Sequence, residues 1–281
     1  MRIGVLGPIA VTVTGVSARL GGLRPKAILA TLLLADGMVV GQDRIIENAW
    51  NGQPPRSARQ ALHTYVSHLR RAIEPDRAPR ERATVLRRHT DGYSLIVEPD
   101  KVDAKQFTAL AASGAAALAE GEAELASRQL DDALALWRGA PYADLGSTTF
   151  VDSTVRHLEA LHAAAREDRI SAGLALGEHR RLLGQTRSLT DDYPLHENAW
   201  ELRALALYRS GRRIEALEAL RSIQTGLQEE LGIPPSPRLR ALHDAVVAQD
   251  ATLDWYPTSS ACDPYPAGRG RSRLPDRSGR F

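Results

Sequence analysis

Residues 57–73 carry eight side chains that could read a duplex: Arg59, Gln60, His63, Thr64, Ser67, His68, Arg70 and Arg71. They fall largely outside an apolar stripe made by Ala58, Ala61, Leu62, Tyr65, Val66, Leu69 and Ile73, which recurs with the period of an amphipathic helix. Such a helix fits the major groove of B-DNA. Arginine pairs with guanine O6 and N7 there, and glutamine with adenine. Arg70 and Arg71, near the helix end, suit phosphates better than bases. Arg87 and Arg88 stand at the tip of an expected hairpin, where a narrow minor groove or its phosphates would draw them. A solvated basic face is the competing reading for any one of these residues. Only Glu74, at the end of the stretch, opposes their charge.

Other chemistry is poorly supported. The sequence has no phosphate-binding Gly-x-x-x-x-Gly-Lys-Ser/Thr and no Gly-x-Ser-x-Gly. Asp131-Asp132 and Asp191-Asp192 are adjacent pairs, and neighbours on a helix point about 100° apart, so neither is preset for acid–base work. Cys262 is the one cysteine, and the eight histidines are scattered. A disulfide framework is therefore excluded within the chain, and neither a zinc site nor any other cofactor is expected. A single cysteine fits a reducing cytoplasm. We expect no enzyme. Trp50, Trp137 and Trp200 lie on apolar faces and read as core.

The helix needs elements to hold it. Residues 2–22 are rich in Val, Ile and Gly, with Gly7-Pro8, Gly15 and Gly21-Gly22 as turns, and predict two or three antiparallel strands. The opening could be mistaken for a signal peptide, but Gly7-Pro8 breaks it and 10–14 alternates as a strand does. A helix begins near Pro25 and stops at Gly37, and a second spans about 42–50. Pro54-Pro55 forces a loop. Ser57 then caps the third helix. Residues 84–88 and 93–97 pair as a hairpin around Asp91-Gly92. Strands, three helices and a hairpin make the layout of a winged helix-turn-helix with an added N-terminal sheet.

From 102 to 249 every pattern is helical, with helices expected at 104–120, 125–137, 151–176, 178–192, 196–210, 213–231 and 236–249. Gly177 and Gly211 lie 34 residues apart, and each closes a helix. With Trp200 and Pro194, that period fits stacked helix pairs of tetratricopeptide type. The frame is degenerate, since Arg166 stands where the earlier unit would have its Trp. The fold class expected is thus mostly α with a small β part. The expected domains are a winged unit at 1–97, a helical unit at 98–250 and a disordered, weakly basic tail at 251–281.

Charge follows this division. The chain carries +2 in all, but residues 1–97 hold 14 Lys/Arg against 7 Asp/Glu, and 98–250 hold 17 against 24. A basic first part beside an acidic second suggests a polyanion for one and a protein partner for the other. The longest largely apolar run, 27–35, is far below the ~20 residues of a membrane span.

The run ENAWNGQPPRSARQALHTYVSHLRRAI, ending at Ile73, resembles the antibiotic-pathway regulators called SARPs. So do the opening GVLGPIAVTV, the Asp91-Gly92-Tyr93-Ser94-Leu95 segment and the later Leu-Gly-Ile-Pro-Pro-Ser-Pro at 231–237. The likeness covers about 3–249 and is specific as a combined pattern. It implies an OmpR-type winged helix joined to a bacterial transcriptional activation domain. Its implied function is a cytoplasmic, nucleoid-associated activator of a secondary-metabolite gene cluster. Such an activator binds direct repeats in more than one copy and recruits RNA polymerase with its sigma factor. It also makes 57–73 the recognition helix and the hairpin at Arg87 and Arg88 the wing. Asn51, Gln53 and Arg56, in the loop before the helix, become a candidate polymerase contact. Two positions depart from the pattern. His68 replaces a common Arg, and Ala49 precedes Trp50 where Leu is common. The alternative is a helical-repeat scaffold whose winged part does not read DNA.

Overall fold

The computed structural model describes residues 1–78, 81–146 and 148–256. Three short strands open the chain: β1 (Arg2–Gly4), β2 (Ala10–Val13) and β3 (Val16–Ser17), antiparallel in that order, with Ile3 opposite Val11. Helices α1 (Leu23–Leu34), α2 (Gln42–Trp50) and α3 (Ala58–Ile73) follow. Pro25 lies in the first turn of α1, where its missing N–H costs nothing. Strand β4 (Val40–Gly41) precedes α2. It pairs with β6 (Gly92–Leu95), which pairs in turn with β5 (Leu86–Arg88). The hairpin was expected; β4 was not. Two residues, Val40 and Gly41, give no alternation from which a strand could be read. Gly92 makes the pairing possible, because a Cβ there would overlap the Val40 carbonyl.

The remainder is helical: α4 (Asp103–Ala119), α5 (Ala123–Leu134), α6 (Asp152–Ala175), α7 (Leu183–Asp192), α8 (Glu197–Arg209), α9 (Arg213–Gly226) and α10 (Pro237–Ala248). They form three helix hairpins, α4–α5, α6–α7 and α8–α9. Each first helix ends in one motif. Gly121, Gly177 and Gly211 take φ near +80°, and the next residue's N–H reaches back to the carbonyl of Ala117, Gly173 and Leu207 respectively. This left-handed closure satisfies end carbonyls that would otherwise lack partners. The sequence period exposed only the last two. The expected helix at 178–192 starts later. Residues 179–182 form turns, and the Glu178 carboxylate just before them pairs with Arg169 and Arg181. The expected helix at 213–231 passes after Gly226 into a π-helical turn, Leu227–Leu231.

One buried cluster runs from Ile3 to Ala172 and joins the strands, α1–α3 and α4–α6. The seam across it is polar. Both Asp103 oxygens accept the Val5 N–H, at 2.8 and 2.9 Å, and one also accepts the Leu6 N–H. Asp144 accepts from Ile9 and pairs with Lys26. The connection between α5 and α6 adds backbone bonds from Arg138 to Leu6 and from Tyr142 to Val5. The tail expected from 251 has structure at its start. Trp255 donates to the Ala175 carbonyl at 2.8 Å and lies over Gly177, where a Cβ would sit 2.7 Å from its ring. The rest of the expected tail lies outside the described residues.

Candidate nucleic-acid interface

Helix α3 buries Ala58, Leu62, Val66, Leu69 and Ile73 against the core. Gln60, Thr64, Ser67 and Arg71 are exposed and form one stripe at i, i+4, i+7 and i+11. No acidic residue lies within α3. Arg59, exposed at the first turn, pairs with Asp43 of α2 at 2.7 Å, and both side chains face solvent. Such a pair contributes little, so a stronger anion can displace Asp43. Thr64 Oγ1 donates to the Gln60 carbonyl at 3.2 Å, and Arg71 Nε to the Ser67 carbonyl at 3.4 Å.

Three other sequence candidates flank the stripe and are engaged within the protein. His63 Nδ1 lies 2.9 Å from the Tyr93 hydroxyl on β6. Arg70 Nε donates to the Leu86 carbonyl at 2.9 Å, and its guanidinium lies 5.8 Å from the Tyr93 ring centroid. Partial burial holds the Arg70 pKa below the usual arginine value. On the other flank His68 Nε2 lies 3.0 Å from the Arg19 carbonyl, after the N-terminal sheet. The histidine at this position therefore fastens α3 to the sheet connection.

Glu74, which sequence reading set against the cations, faces the hairpin instead. Its Oε1 accepts the N–H groups of Thr84 and Val85 at 2.7 and 3.0 Å, and the Thr84 hydroxyl at 3.0 Å. Partial burial opposes ionisation, but these bonds and the Arg77 charge outweigh it and hold the carboxyl below its usual range. Arg87 and Arg88 are exposed on β5, and Arg87 Nε donates to the Thr84 carbonyl at 2.8 Å. An open cavity of 890 Å³ separates the end of α3 from the hairpin. Arg70, Arg77, Arg82, Arg87 and Arg88 line it, with Glu81. Arg77 and Arg82 lie in the polar linker after α3, and only the folded chain brings them beside the hairpin. Guanidinium groups gathered around one opening suit phosphate oxygens.

The loop between α2 and α3 is exposed throughout. Asn51 ends α2 in the left-handed conformation, and the Gly52 N–H reaches back to the Glu47 carbonyl. Asn51, Gln53 and Arg56 all face solvent. They lie N-terminal to the α3 stripe and apart from the arginine cavity.

Known proteins share this arrangement. The family "Transcriptional regulatory protein, C terminal" matches residues 23–95, and "Bacterial transcriptional activator domain" matches 102–247. The regulatory protein DnrI of Streptomyces peucetius is 35% identical over 90% of this chain and 94% of its own length. The chain belongs to the SARP family. It is a SARP with the OmpR-type and activator parts in one chain, and the family is one of transcriptional regulators. The transcriptional regulatory protein EmbR of Mycobacterium tuberculosis is 34% identical over 89% of this chain, which spans 64% of that protein. A solved structure of M. tuberculosis EmbR in complex with a low affinity phosphopeptide superposes with a TM-score of 0.81 at 34% identity. The match covers 88% of this chain and 65% of that one. Among the described residues no helix is long and apolar enough to cross a membrane, and no cluster of acidic, His or Cys side chains could hold a metal.

Proposed function

We propose that this SARP is a sequence-specific DNA-binding activator of a secondary-metabolite gene cluster. It binds direct repeats in more than one copy and recruits RNA polymerase with its sigma factor. The observation that carries the DNA reading is the acid-free exposed stripe of Gln60, Thr64, Ser67 and Arg71, flanked by Arg59 and the hairpin arginines. The stripe enters the major groove and reads base edges. Arg71, Arg77, Arg82, Arg87 and Arg88 hold phosphates and set the register. His63, His68 and Arg70 hold the helix and hairpin at the angle the duplex requires. Asn51, Gln53 and Arg56 form the polymerase contact. Residues 1–97 act as the DNA-binding unit and 98–250 as the activating unit, in the cytoplasm.

The test is capture of fragmented genomic DNA by the purified protein, followed by sequencing. A few intergenic sites sharing a direct repeat are expected. Diffuse recovery that vanishes at moderate salt would leave only charge attraction and would favour a repeat scaffold that does not read DNA.

A further inference from the structure

Helix α3 is fastened on two sides by unlike elements. On one flank His63 and Arg70 bond to the hairpin that carries Arg87 and Arg88. On the other, His68 Nε2 donates to the Arg19 carbonyl at 3.0 Å. A carbonyl oxygen only accepts, so the imidazole spends its Nε2 proton there. The connection from β3 to α1 is thereby held along α3. Leu20 anchors it from below, buried in the core, and the Ala18 N–H bonds to the Val11 carbonyl at 2.8 Å. Gly21 turns the chain beside the ring with φ at +89°, and a Cβ there would lie 3.6 Å from His68 Nε2. Arg19, between these anchors, is exposed.

The elements packed on this flank are free of acids. Residues 1–35 contain no Asp or Glu, and neither does α3. Glu74, the first acid after α3, is turned to the hairpin on the opposite flank. Residues 1–35 hold four cations, Arg2, Arg19, Arg24 and Lys26. Arg24 donates to the Ala49 carbonyl at 2.7 Å and lies over the Trp50 ring, and Lys26 pairs with Asp144. Arg2 sits on β1, at the outer edge of the N-terminal sheet. Arg19 is bonded to α3 through its carbonyl, and its guanidinium is in no ion pair among the described residues.

An α-helix with its side chains is about 10–12 Å across, and the major groove of B-DNA is about 12 Å wide. A helix lying in the groove therefore has a phosphate backbone close on either side. The hairpin arginines can serve one wall only. We propose, resting on the DNA reading above, that Arg19 is a further DNA contact: it holds a phosphate on the groove wall opposite the hairpin arginines, and His68 is the residue that positions it. A guanidinium with its donors free meets phosphate oxygens with charge-assisted hydrogen bonds. The contact adds affinity and no sequence preference, and two walls held together fix the depth of the Gln60–Arg71 stripe in the groove.

The test is fluorescence anisotropy of the full chain on its captured duplex at several salt concentrations. Arg19→Ala should weaken binding to every sequence roughly five- to tenfold at 0.1 M salt and lower the slope of log K against log salt by roughly 0.9. Arg19→Lys should restore the slope. His68→Ala should weaken binding in the wild type and cost nothing further in the Arg19→Ala background, whereas a merely structural role would cost the same in both. Methylphosphonates placed one at a time along each strand then locate the contact. The position that cancels the effect of Arg19→Ala should differ from the one that cancels the effect of Arg87→Ala. Unchanged affinity and slope for Arg19→Ala, on a duplex that the wild type binds, overturns this proposal and leaves the DNA reading standing. So does coupling of both arginines to one phosphate. A wild type that binds no duplex overturns both.

Discussion

His63 of α3 and Tyr93 of β6 meet side chain to side chain, with the imidazole Nδ1 2.9 Å from the phenol oxygen. This bond and the Arg70 contact with Leu86 lock the helix to the hairpin, so the stripe and the hairpin arginines form one surface, the one proposed to meet DNA. Tyr93→Phe keeps the buried ring and removes the bond. A typical hydrogen bond contributes about 1 kcal/mol net to stability, so the loss of specific DNA affinity, which can draw on only that much preorganisation, should be at most about fivefold. The salt dependence should not change, because no phosphate contact is lost. Fluorescence anisotropy at several salt concentrations checks both. An altered salt slope would mean that Tyr93 or His63 touches the backbone itself.

Base-reading and phosphate-holding residues should separate by their signatures. Gln60→Ala or Thr64→Ala should cut the preference for one base pair by about 1–3 kcal/mol while sparing non-specific binding. Arg71→Ala should weaken binding to every sequence and lower the slope of log K against log salt by roughly 0.9. Arg59→Ala should also relax sequence preference. Binding to a panel of single-base variants of the site reads this out. Equal losses on all sequences for Gln60→Ala would place that residue on the backbone.

Asp103 holds two backbone N–H groups of the first strand region and pairs with Arg138 at 3.2 Å. Asp103→Ala strands those donors at a seam within the main core. Leaving buried donors unpaired costs about 1–3 kcal/mol each, so a loss of about 3 kcal/mol is expected. Urea unfolding should show a lower midpoint with an unchanged slope. Two separate transitions in the wild type would contradict a shared core.

Acid should destabilise the fold through His162. Its ring stacks on Trp137 with centroids 3.9 Å apart. Burial, aided by the Arg166 charge and opposed by Asp192, lowers its pKa to about 4. An unfolded histidine titrates near 6.5. As pH falls below that value the unfolded chain takes the proton first, so stability declines from about pH 6.5 down to about 4 and then levels. His179 is depressed too, mainly by burial, and adds a loss of the same sign. His162→Phe keeps a ring on Trp137 and should flatten the fall in melting temperature over that window. Parallel curves for variant and wild type would refute the assignment.

Much of this was legible from residue order. The α3 stripe follows from the apolar spacing at Leu62, Val66, Leu69 and Ile73, and the hairpin from Asp91-Gly92. What could not be read were contacts between distant residues of unremarkable type. Nothing local marks His63 as a partner of Tyr93, or His68 as a partner of the Arg19 carbonyl. Arg77 and Arg82 look like linker charges until the chain turns back to β5. Glu74 looked like a stray acid near cations, yet it holds Thr84 and Val85. Gly121 escaped notice because its distance to Gly177 is 56 residues, against 34 from Gly177 to Gly211.

That uneven spacing has a consequence for how such chains can change in length. The longer interval contains the α5–α6 connection, whose Arg138, Tyr142 and Asp144 bond to the segment between β1 and β2. The shorter one carries no such attachment. A helix hairpin inserted after Gly211 would lengthen the array without touching the sheet. One inserted between Gly121 and Gly177 would have to rebuild that attachment. Growth after Gly211 would cost the Trp255 contact with Ala175 but leave the sheet attachment whole, so the surface proposed to face DNA is insulated from it.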